Sequence, residues 1–164
     1  NKMLKKHLLD FFIIIFIFLI DRVSKLVIIG SPETYEQYGM SVTSFLNFNL
    51  IWNEGIAFGL FSFDEKFYYN LLTIFICLIT LVIIWLMLKS KGFERFSFIM
   101  IIGGSLGNIF DRVFYSAVPD FIDIHINNFH WFIFNVADIF ITLGIIFLIC
   151  IEIFKNKKIK NEDY

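Results

Sequence analysis

The sequence predicts an all-α membrane protein with four transmembrane helices, a small extracytoplasmic β-sheet and an outer loop. Three observations support this fold class. Of the 164 residues, 58% are hydrophobic, four apolar segments reach membrane-spanning length, and basic residues cluster in alternate flanks of those segments. A soluble domain of this length mixes polar and apolar residues more evenly. We therefore expect a single integral membrane domain over residues 1–164.

The four apolar segments predict helices over about residues 8–29, 67–88, 96–113 and 132–154. At a rise of about 1.5 Å per residue they span roughly 27–35 Å, close to the hydrocarbon core of about 30 Å. The first segment follows three lysines, as a secretory signal peptide would. It ends in charged residues rather than in the small residues of a cleavage site, so we interpret it as a retained helix.

The basic flanks predict the orientation, because short cytoplasmic loops carry an excess of lysine and arginine. They precede the first helix, join the second to the third, and follow the fourth: Lys2, Lys5, Lys6, Lys89, Lys91, Arg95, Lys155, Lys157, Lys158 and Lys160. Both termini are therefore expected in the cytoplasm, with outer loops over about residues 30–66 and 114–131. Residues 45–50 partly alternate between apolar and polar, which predicts short strands in the first loop.

Polar residues at the outer helix ends are the candidate functional groups, because ionisable groups in spans are costly and usually functional. Asp21 and Lys25 stand four residues apart and share a face of the first helix. The structural alternative for them is a local ion pair that anchors the helix end. Asn53 and Gly55 follow the predicted strands, where an ordinary turn is the alternative.

The third predicted helix carries a further polar cluster. Asn108, Asp111 and Arg112 stand at i, i+3 and i+4, which predicts that they face one side. For Asp111 we favour a structural role in a buried Asp–Arg pair that holds helices together. Gly103 and Gly107 form a small-xxx-small pattern that favours close helix packing.

Two further carboxylates come from different segments at the same predicted boundary. Asp120 lies in the second outer loop, and Asp138 lies about one turn inside the fourth helix, on the face of Asn135. We expect the two carboxylates to converge on one site. A helix cap or a turn acid is the structural alternative for Asp120, whereas Asp138 within an apolar run is harder to explain structurally.

Other kinds of chemistry have weaker support. The net charge is -1 and there is no basic face with interleaved aromatics, so no nucleic acid is expected as a partner. A Gly-x-Ser-x-Gly pattern surrounds Ser105, but it lies in an apolar helix rather than on the strand–turn–helix that a serine nucleophile requires, with only His125 and His130 as bases. No His-Glu-x-x-His or Cys/His cluster is present, so neither a metal nor a cofactor is expected.

A proton-coupled transporter and a structural helper subunit are the competing functions. A transporter usually shows internal repeats or paired broken helices, and its polar groups spread across membrane depth. In this sequence the polar groups gather at one end, and no repeat is evident. A helper subunit would leave five polar blocks without a purpose.

Taken together, the polar blocks resemble those of the lipoprotein signal peptidase family, also called signal peptidase II. Five blocks occur in the family's order: Asp21-x-x-Ser24-Lys25, Asn53-x-Gly55-x-Ala57-Phe58, Gly107-Asn108-x-x-Asp111-Arg112, Val118-x-Asp120-Phe121 and Phe134-Asn135-x-Ala137-Asp138. Each block is weak alone, but five ordered blocks on four predicted spans are specific. Ser105, where alanine is usual, and Pro119, where valine is typical, are small departures.

The resemblance implies an intramembrane aspartyl endopeptidase whose catalytic pair is Asp120 and Asp138. It also implies a set of residues that shape or support the site: Asp21, Lys25, Asn53, Gly55, Asn108, Asp111, Arg112, Asn135 and Ala137. Family substrates are diacylglyceryl-modified prolipoproteins, cut just before the lipidated cysteine, and globomycin-type cyclic peptides inhibit the family. The implied location is the bacterial cytoplasmic (inner) membrane, in contact with membrane lipid and with the active site at its outer face.

Overall fold

The computed structural model describes residues 2–35, 39–55, 66–127 and 129–162. These residues form four α-helices and one small antiparallel sheet, whose strands lie in two pairs between α1 and α2 and between α3 and α4. The elements in chain order are α1 (Lys2–Ile29), a 3-10 turn (Pro32–Tyr35), β1 (Met40–Thr43), β2 (Leu46–Asn53), α2 (Lys66–Lys89), α3 (Gly92–Tyr115), β3 (Val118–Ile126), β4 (Phe129–Phe134) and α4 (Val136–Glu162).

Helix α3 lies at the centre of the helical layer and packs against α1, α2 and α4. It is mostly buried, whereas α2 and α4 expose most of their apolar side chains. Glycines allow α3 to pack closely against α1 and α4. A Cβ on Gly103 would lie 2.8 Å from the Ile17 side chain of α1, and one on Gly144 of α4 would lie 2.7 Å from the Ser97 carbonyl of α3. Gly107, the other glycine of the predicted pattern, also faces α1, so the predicted small-residue packing face of α3 is present.

Three of the four helices are long and apolar enough to cross a membrane: Lys66–Lys89, Gly92–Tyr115 and Val136–Lys155. Helix α1 is as long, but Asp10, Asp21, Arg22 and Lys25 interrupt its apolar sequence. The prediction of a mostly helical membrane protein with a small sheet is thus confirmed. The count of four spanning helices and the assignment of residues 1–164 to one domain stay predictions.

The four strands form one antiparallel sheet in the order β1-β2-β3-β4. The strands predicted around residues 45–50 are present as β1 and β2, and β3 pairs with β2 through Ile51↔Asp120 and Asn53↔Val118. Helix α3 ends at Tyr115, and Ser116 adopts a left-handed conformation with φ 58 that turns the chain into β3. This turn returns the chain over the end of α3 and places Asp120 there.

The start of the last helix differs from the sequence prediction. We expected the helix to begin at about residue 132, after a loop over residues 114–131, but Phe129–Phe134 forms β4 and the helix begins at Val136. The aromatic and β-branched residues of this segment favour a strand once a partner is available. Strand β3 provides that partner through Ile122↔Phe134 and Asp123↔Ile133.

Candidate active site

Asp120 lies on β3 and is almost fully buried. Two side-chain amides hold its carboxylate: Asn53 Nδ2 donates to Oδ2 at 2.9 Å, and Asn135 Nδ2 donates to Oδ1 at 2.6 Å. The strand register explains the first contact. Ile51 stands opposite Asp120, and Asn53, two residues further along β2, faces the same side at the diagonal position.

Asp138 is held by the start of α4. Its backbone N–H donates to Asn135 Oδ1 at 3.1 Å, and its own Oδ2 accepts from the Asn135 backbone N–H at 3.2 Å. This reciprocal pair is a capping box, in which the residue before a helix and the third residue inside it satisfy each other's orphan donors. Because Asn135 also binds Asp120, one asparagine positions both carboxylates.

Both carboxylates line one cavity of about 190 Å³. Its wall combines polar and apolar side chains from β2, α2, α3, β3, α4 and the residue that precedes α4: Asn53, Ile76, Ser105, Asn108, Arg112, Val118, Asp120, Asn135, Asp138 and Ile141. One water molecule needs about 10–15 Å³ of such volume, so the cavity has room for water beside a reacting group. The predicted convergence of Asp120 and Asp138 at one place is therefore present in the structure.

A second set of carboxylates lies behind this cavity, between α1 and α3. Lys25 Nζ donates to Asp21 Oδ2 at 2.8 Å and to Asp111 Oδ2 at 2.6 Å, and Arg22 donates to Asp111 Oδ1. The side chains of Asp21, Lys25 and Asp111 are fully buried. Cations therefore pair with both of these acids inside the protein.

The ion-pair cluster is connected to the cavity by Asn108 and by the backbone of α4. Asn108 Oδ1 accepts from Lys25 Nζ at 2.9 Å, and Asn108 Nδ2 donates to Asp138 Oδ1 at 2.8 Å. Asp21 Oδ1 accepts the Ala137 backbone N–H at 2.9 Å. The lysine thus fixes which end of the Asn108 amide points at Asp138.

Arg112 lines the cavity but donates its hydrogen bonds to backbone carbonyls. Its Nη2 reaches the Gly55 carbonyl at 2.9 Å and its Nη1 reaches the Asn108 carbonyl at 3.3 Å. Asn53 Oδ1 accepts the Gly55 N–H at 2.9 Å, so the end of β2 is tied to both Arg112 and Asp120. Residues 56–58, which complete this sequence block, lie outside the described residues.

Burial raises the pKa of Asp120 from its ordinary 3.8 to about 7, and the nearby charge of Asp138 contributes to this increase. The amide hydrogen bonds from Asn53 and Asn135 favour the charged form and oppose the increase. A carboxyl group in this balance can hold or release a proton near neutral pH, which an acid–base catalyst requires.

The prediction that Asn108, Asp111 and Arg112 all face one side of α3 is wrong for Asp111. Asn108 and Arg112 line the cavity, but Asp111 turns to α1 and pairs with Arg22 and Lys25. At about 100° per residue, Asp111 and Arg112 diverge from Asn108 in opposite directions. The expected Asp–Arg pair therefore exists, but Arg22 of another helix supplies the arginine.

Sequence reasoning missed two cations that pair with buried acids. Arg22 was not selected, although it follows Asp21 directly. Asp10 and Arg95 were also missed as a pair; Arg95 Nε donates to Asp10 Oδ2 at 3.0 Å, which ties α1 to the start of α3. The position of Asp10 inside the apolar run of α1 was the sequence signal that a buried cation partner was required.

Ser105 lies in the middle of helix α3, not on the strand-to-helix turn that a serine nucleophile requires.

Comparisons with known proteins agree with the geometry. The sequence pattern of signal peptidase (SPase) II matches residues 13–154. A lipoprotein signal peptidase of Pelagibacter ubique (strain HTCC1062) is 51% identical over 159 residues, 97% of this chain and 96% of that protein. One from Anaplasma phagocytophilum (strain HZ) is 35% identical over 161 residues, 95% of this chain and 99% of that protein. A solved structure of a bacterial membrane enzyme is similar with a TM-score of 0.70 and 29% identity, covering 90% of this chain and 88% of that one.

Proposed function

The chain belongs to the signal peptidase II family and removes signal peptides from prolipoproteins, and we propose that it does so as an aspartic endopeptidase with Asp120 and Asp138 as its catalytic pair. One observation carries the proposal. The two carboxylates share a cavity, and amide groups rather than cations hold them. Among the described residues, no lysine or arginine nitrogen lies within 4.0 Å of either one.

Peptide hydrolysis needs an activated water molecule and a proton for the leaving amine. Two close carboxylates that share one proton supply both, because like charges a few ångströms apart do not ionise together readily. The ionised member deprotonates a water molecule, which attacks the scissile carbonyl carbon. The protonated member hydrogen-bonds to the carbonyl oxygen. It then donates its proton to the leaving amine nitrogen as the C–N bond breaks. The shared proton belongs to the pair Asp120 and Asp138 as a unit.

The surroundings of the cavity support a lipidated substrate. A second cavity, of about 370 Å³ and mostly apolar, shares Asp138 and Ile141 with the first and is further lined by Phe132, Phe134 and Leu143. An acyl chain or an apolar signal-peptide side chain fits such a lining chemically. We therefore take diacylglyceryl-modified prolipoproteins as substrates, with cleavage just before the lipidated cysteine. Globomycin-type cyclic peptides are the expected inhibitors of the same cavities.

The distribution of side chains on α1 supports it as a fourth membrane span. Its charged residues Asp21, Arg22 and Lys25 are buried against α3. Large apolar side chains cover its outer surface and are half exposed or more: Phe11, Phe12, Phe16, Leu19, Val23, Leu26 and Val27. A helix that buries its charges and exposes its aromatic and aliphatic groups has the surface that lipid requires.

The positions of the basic flanks support an orientation in the bacterial inner membrane. Lys89 is the last residue of α2 and Lys91 precedes α3, so both lie at the end of α3 opposite to Asn108 and Arg112. With the basic flanks in the cytoplasm, both termini lie inside and the cavity lies at the outer face. A diacylglyceryl group can then remain in the bilayer while its cysteine reaches the two carboxylates.

Cleavage of a diacylglyceryl-modified prolipoprotein by the purified protein in nanodiscs tests the catalytic pair. We expect Asp120→Asn and Asp138→Asn each to fold and to lose activity by at least about a thousandfold, because each removes one half of the acid–base pair. Glu33→Gln, the same change on an exposed acid of the 3-10 turn, is the matched control and should keep the wild-type rate. A folded Asp120 or Asp138 variant with a near-normal rate would show that the pair is misassigned.

A further inference from the structure

Three side chains on the β3–β4 hairpin bring metal-ligand atoms together away from the catalytic cavity. One atom each from Asp123, His125 and His130 lies within 4.8 Å of the other two. None of the three lines the cavity that holds Asp120 and Asp138. A turn separates Asp123 and His125 on β3 from His130 on β4. The three residues therefore match no Cys/His cluster or short histidine motif in the sequence.

The strand register explains why the three side chains meet. His125 stands directly opposite His130, and directly opposed residues of an antiparallel pair project to the same face. Asp123 precedes His125 by two residues on β3, so strand alternation places it on that face as well. The register shift between Asp123 and His125 falls on β4 and leaves this alternation intact.

The environment of the three side chains differs from that of an ordinary ion pair. Asp123 is 2% exposed, and both of its oxygens lie within 3.0 Å of His130 Nδ1. A histidine–carboxylate pair accounts for these two residues alone. It does not account for His125, whose ring stacks on His130 at 5.0 Å between centroids and whose buried Nδ1 has no hydrogen-bond partner among the described residues.

We propose that Asp123, His125 and His130 form a binding site for a divalent transition-metal ion, with zinc as the best fit. Two imidazoles and one carboxylate are ligands that zinc accepts, whereas magnesium and calcium prefer oxygen alone. Tetrahedral zinc, with bonds of about 2.0–2.2 Å, keeps its ligand atoms roughly 3.3–3.6 Å apart. The three atoms already lie within 4.8 Å of one another, so side-chain rotations that shorten these distances would give that spacing and leave the fourth position for water.

The site would act as a clamp on the sheet that carries Asp120. It joins β3 to β4, and the His125 backbone N–H donates to the Phe45 carbonyl in the turn between β1 and β2 at 3.0 Å. A metal bound only to the folded hairpin stabilises the folded state by mass action. Zinc is therefore expected to raise the unfolding temperature. It takes no part in the hydrolysis.

Zinc binding to the full-length protein tests the site without an activity measurement. The chain, freed of any affinity tag and treated with chelator, is titrated with zinc chloride by calorimetry and with cobalt(II) by visible absorption. We expect about one ion per chain, tetrahedral cobalt bands and a zinc-dependent increase in unfolding temperature. His125→Ala should weaken zinc binding by at least about a hundredfold. This loss exceeds that expected for a residue that only hydrogen-bonds to a metal ligand.

Matched variants distinguish zinc bound at this site from zinc bound elsewhere on the chain. His7→Ala removes the third histidine of the chain, which lies on α1, and should leave zinc affinity unchanged. Asp120→Asn should also keep zinc, so loss of hydrolysis and loss of metal are separable. Zinc that binds equally to wild type and His125→Ala overturns the proposal, as does a chelated protein that takes up none.

Discussion

Two pairs of carboxylates lie on either side of Asn108, and they differ in the groups that hold them. Asp21 and Asp111 are bound by the cations of Lys25 and Arg22. Asp120 and Asp138 are bound by the side-chain amides of three asparagines and by one backbone N–H. A nearby cation favours the charged form of a carboxyl group more strongly than a neutral amide donor does.

The two pairs of carboxylates are connected, so the groups that bind one pair also position the other. Isolated buried charges are costly, and the acids between α1 and α3 are paired with cations. That cluster in turn fixes the Asn108 amide and the backbone of Ala137, which position Asp138. The first pair of carboxylates ties α1 to α3, and through Asn108 it orients the second pair, which we propose to be catalytic.

The largest expected effect tests whether the cation-bound acids are structural. Asp111→Asn leaves Arg22 and Lys25 short of a buried carboxylate, and breaking a buried ion pair costs about 3–5 kcal/mol. We expect the free energy of unfolding, measured by denaturant titration in mixed micelles, to fall by that amount. Asp138→Asn, the matched change in the cavity, should cost about 1 kcal/mol as a weakened helix cap. Equal losses in both variants would remove the distinction between the two pairs.

A smaller effect is expected where two glycines of α3 pack against α1. A Cβ on Gly107 would overlap the Asp21 carboxylate, whereas one on Gly103 would meet the Ile17 side chain at 2.8 Å. Alanine at either position should cost about 1–3 kcal/mol through overpacking. Only Gly107→Ala displaces the carboxylate that binds Lys25 and Ala137, so only this variant should lose cleavage rate per folded molecule. A similar rate loss in Gly103→Ala would indicate a packing effect alone.

The smallest effect concerns the pKa of Asp120, which is raised to about 7. Asn53→Ala removes an amide that favours the carboxylate, so it should raise this pKa. Asp138→Asn removes the neighbouring charge and should lower it. The infrared band of the protonated carboxyl group, assigned by its loss in Asp120→Asn, reports both shifts as a function of pH. Shifts of the same sign in the two variants would contradict the roles given to the amide and the neighbouring charge.

The same raised pKa makes stability depend on pH. The folded protein holds the Asp120 proton between pH 3.8 and about 7, whereas the unfolded chain has released it. Stability from this group is therefore present below the unfolded pKa and is lost as pH rises toward about 7. The Asp120→Asn variant should not lose this stability as pH rises. Unfolding midpoints of wild type and variant, compared between pH 4 and pH 8, would detect the difference.

Some features were predictable because they depend on neighbours in the chain. The helices follow from apolar runs, and the strands around residues 45–50 follow from alternation. The start of α4 was placed too early because Phe132 and Phe134 extend the apolar run, although Asn135 and Asp138 have the spacing of a capping box. Pairing of β4 with β3 decided that boundary, and a strand partner is not visible in local sequence.

The sequence alone determined that this protein presents apolar helices to its surroundings and carries acids, amides and cations at a few positions. The tertiary structure decided which acid meets a cation and which meets an amide. Asp111 pairs with Arg22, 89 residues away, rather than with adjacent Arg112, and Asp120 is held by Asn53, 67 residues away. Proton chemistry depends on such contacts, because the energy of a charge is set by the groups within a few ångströms of it.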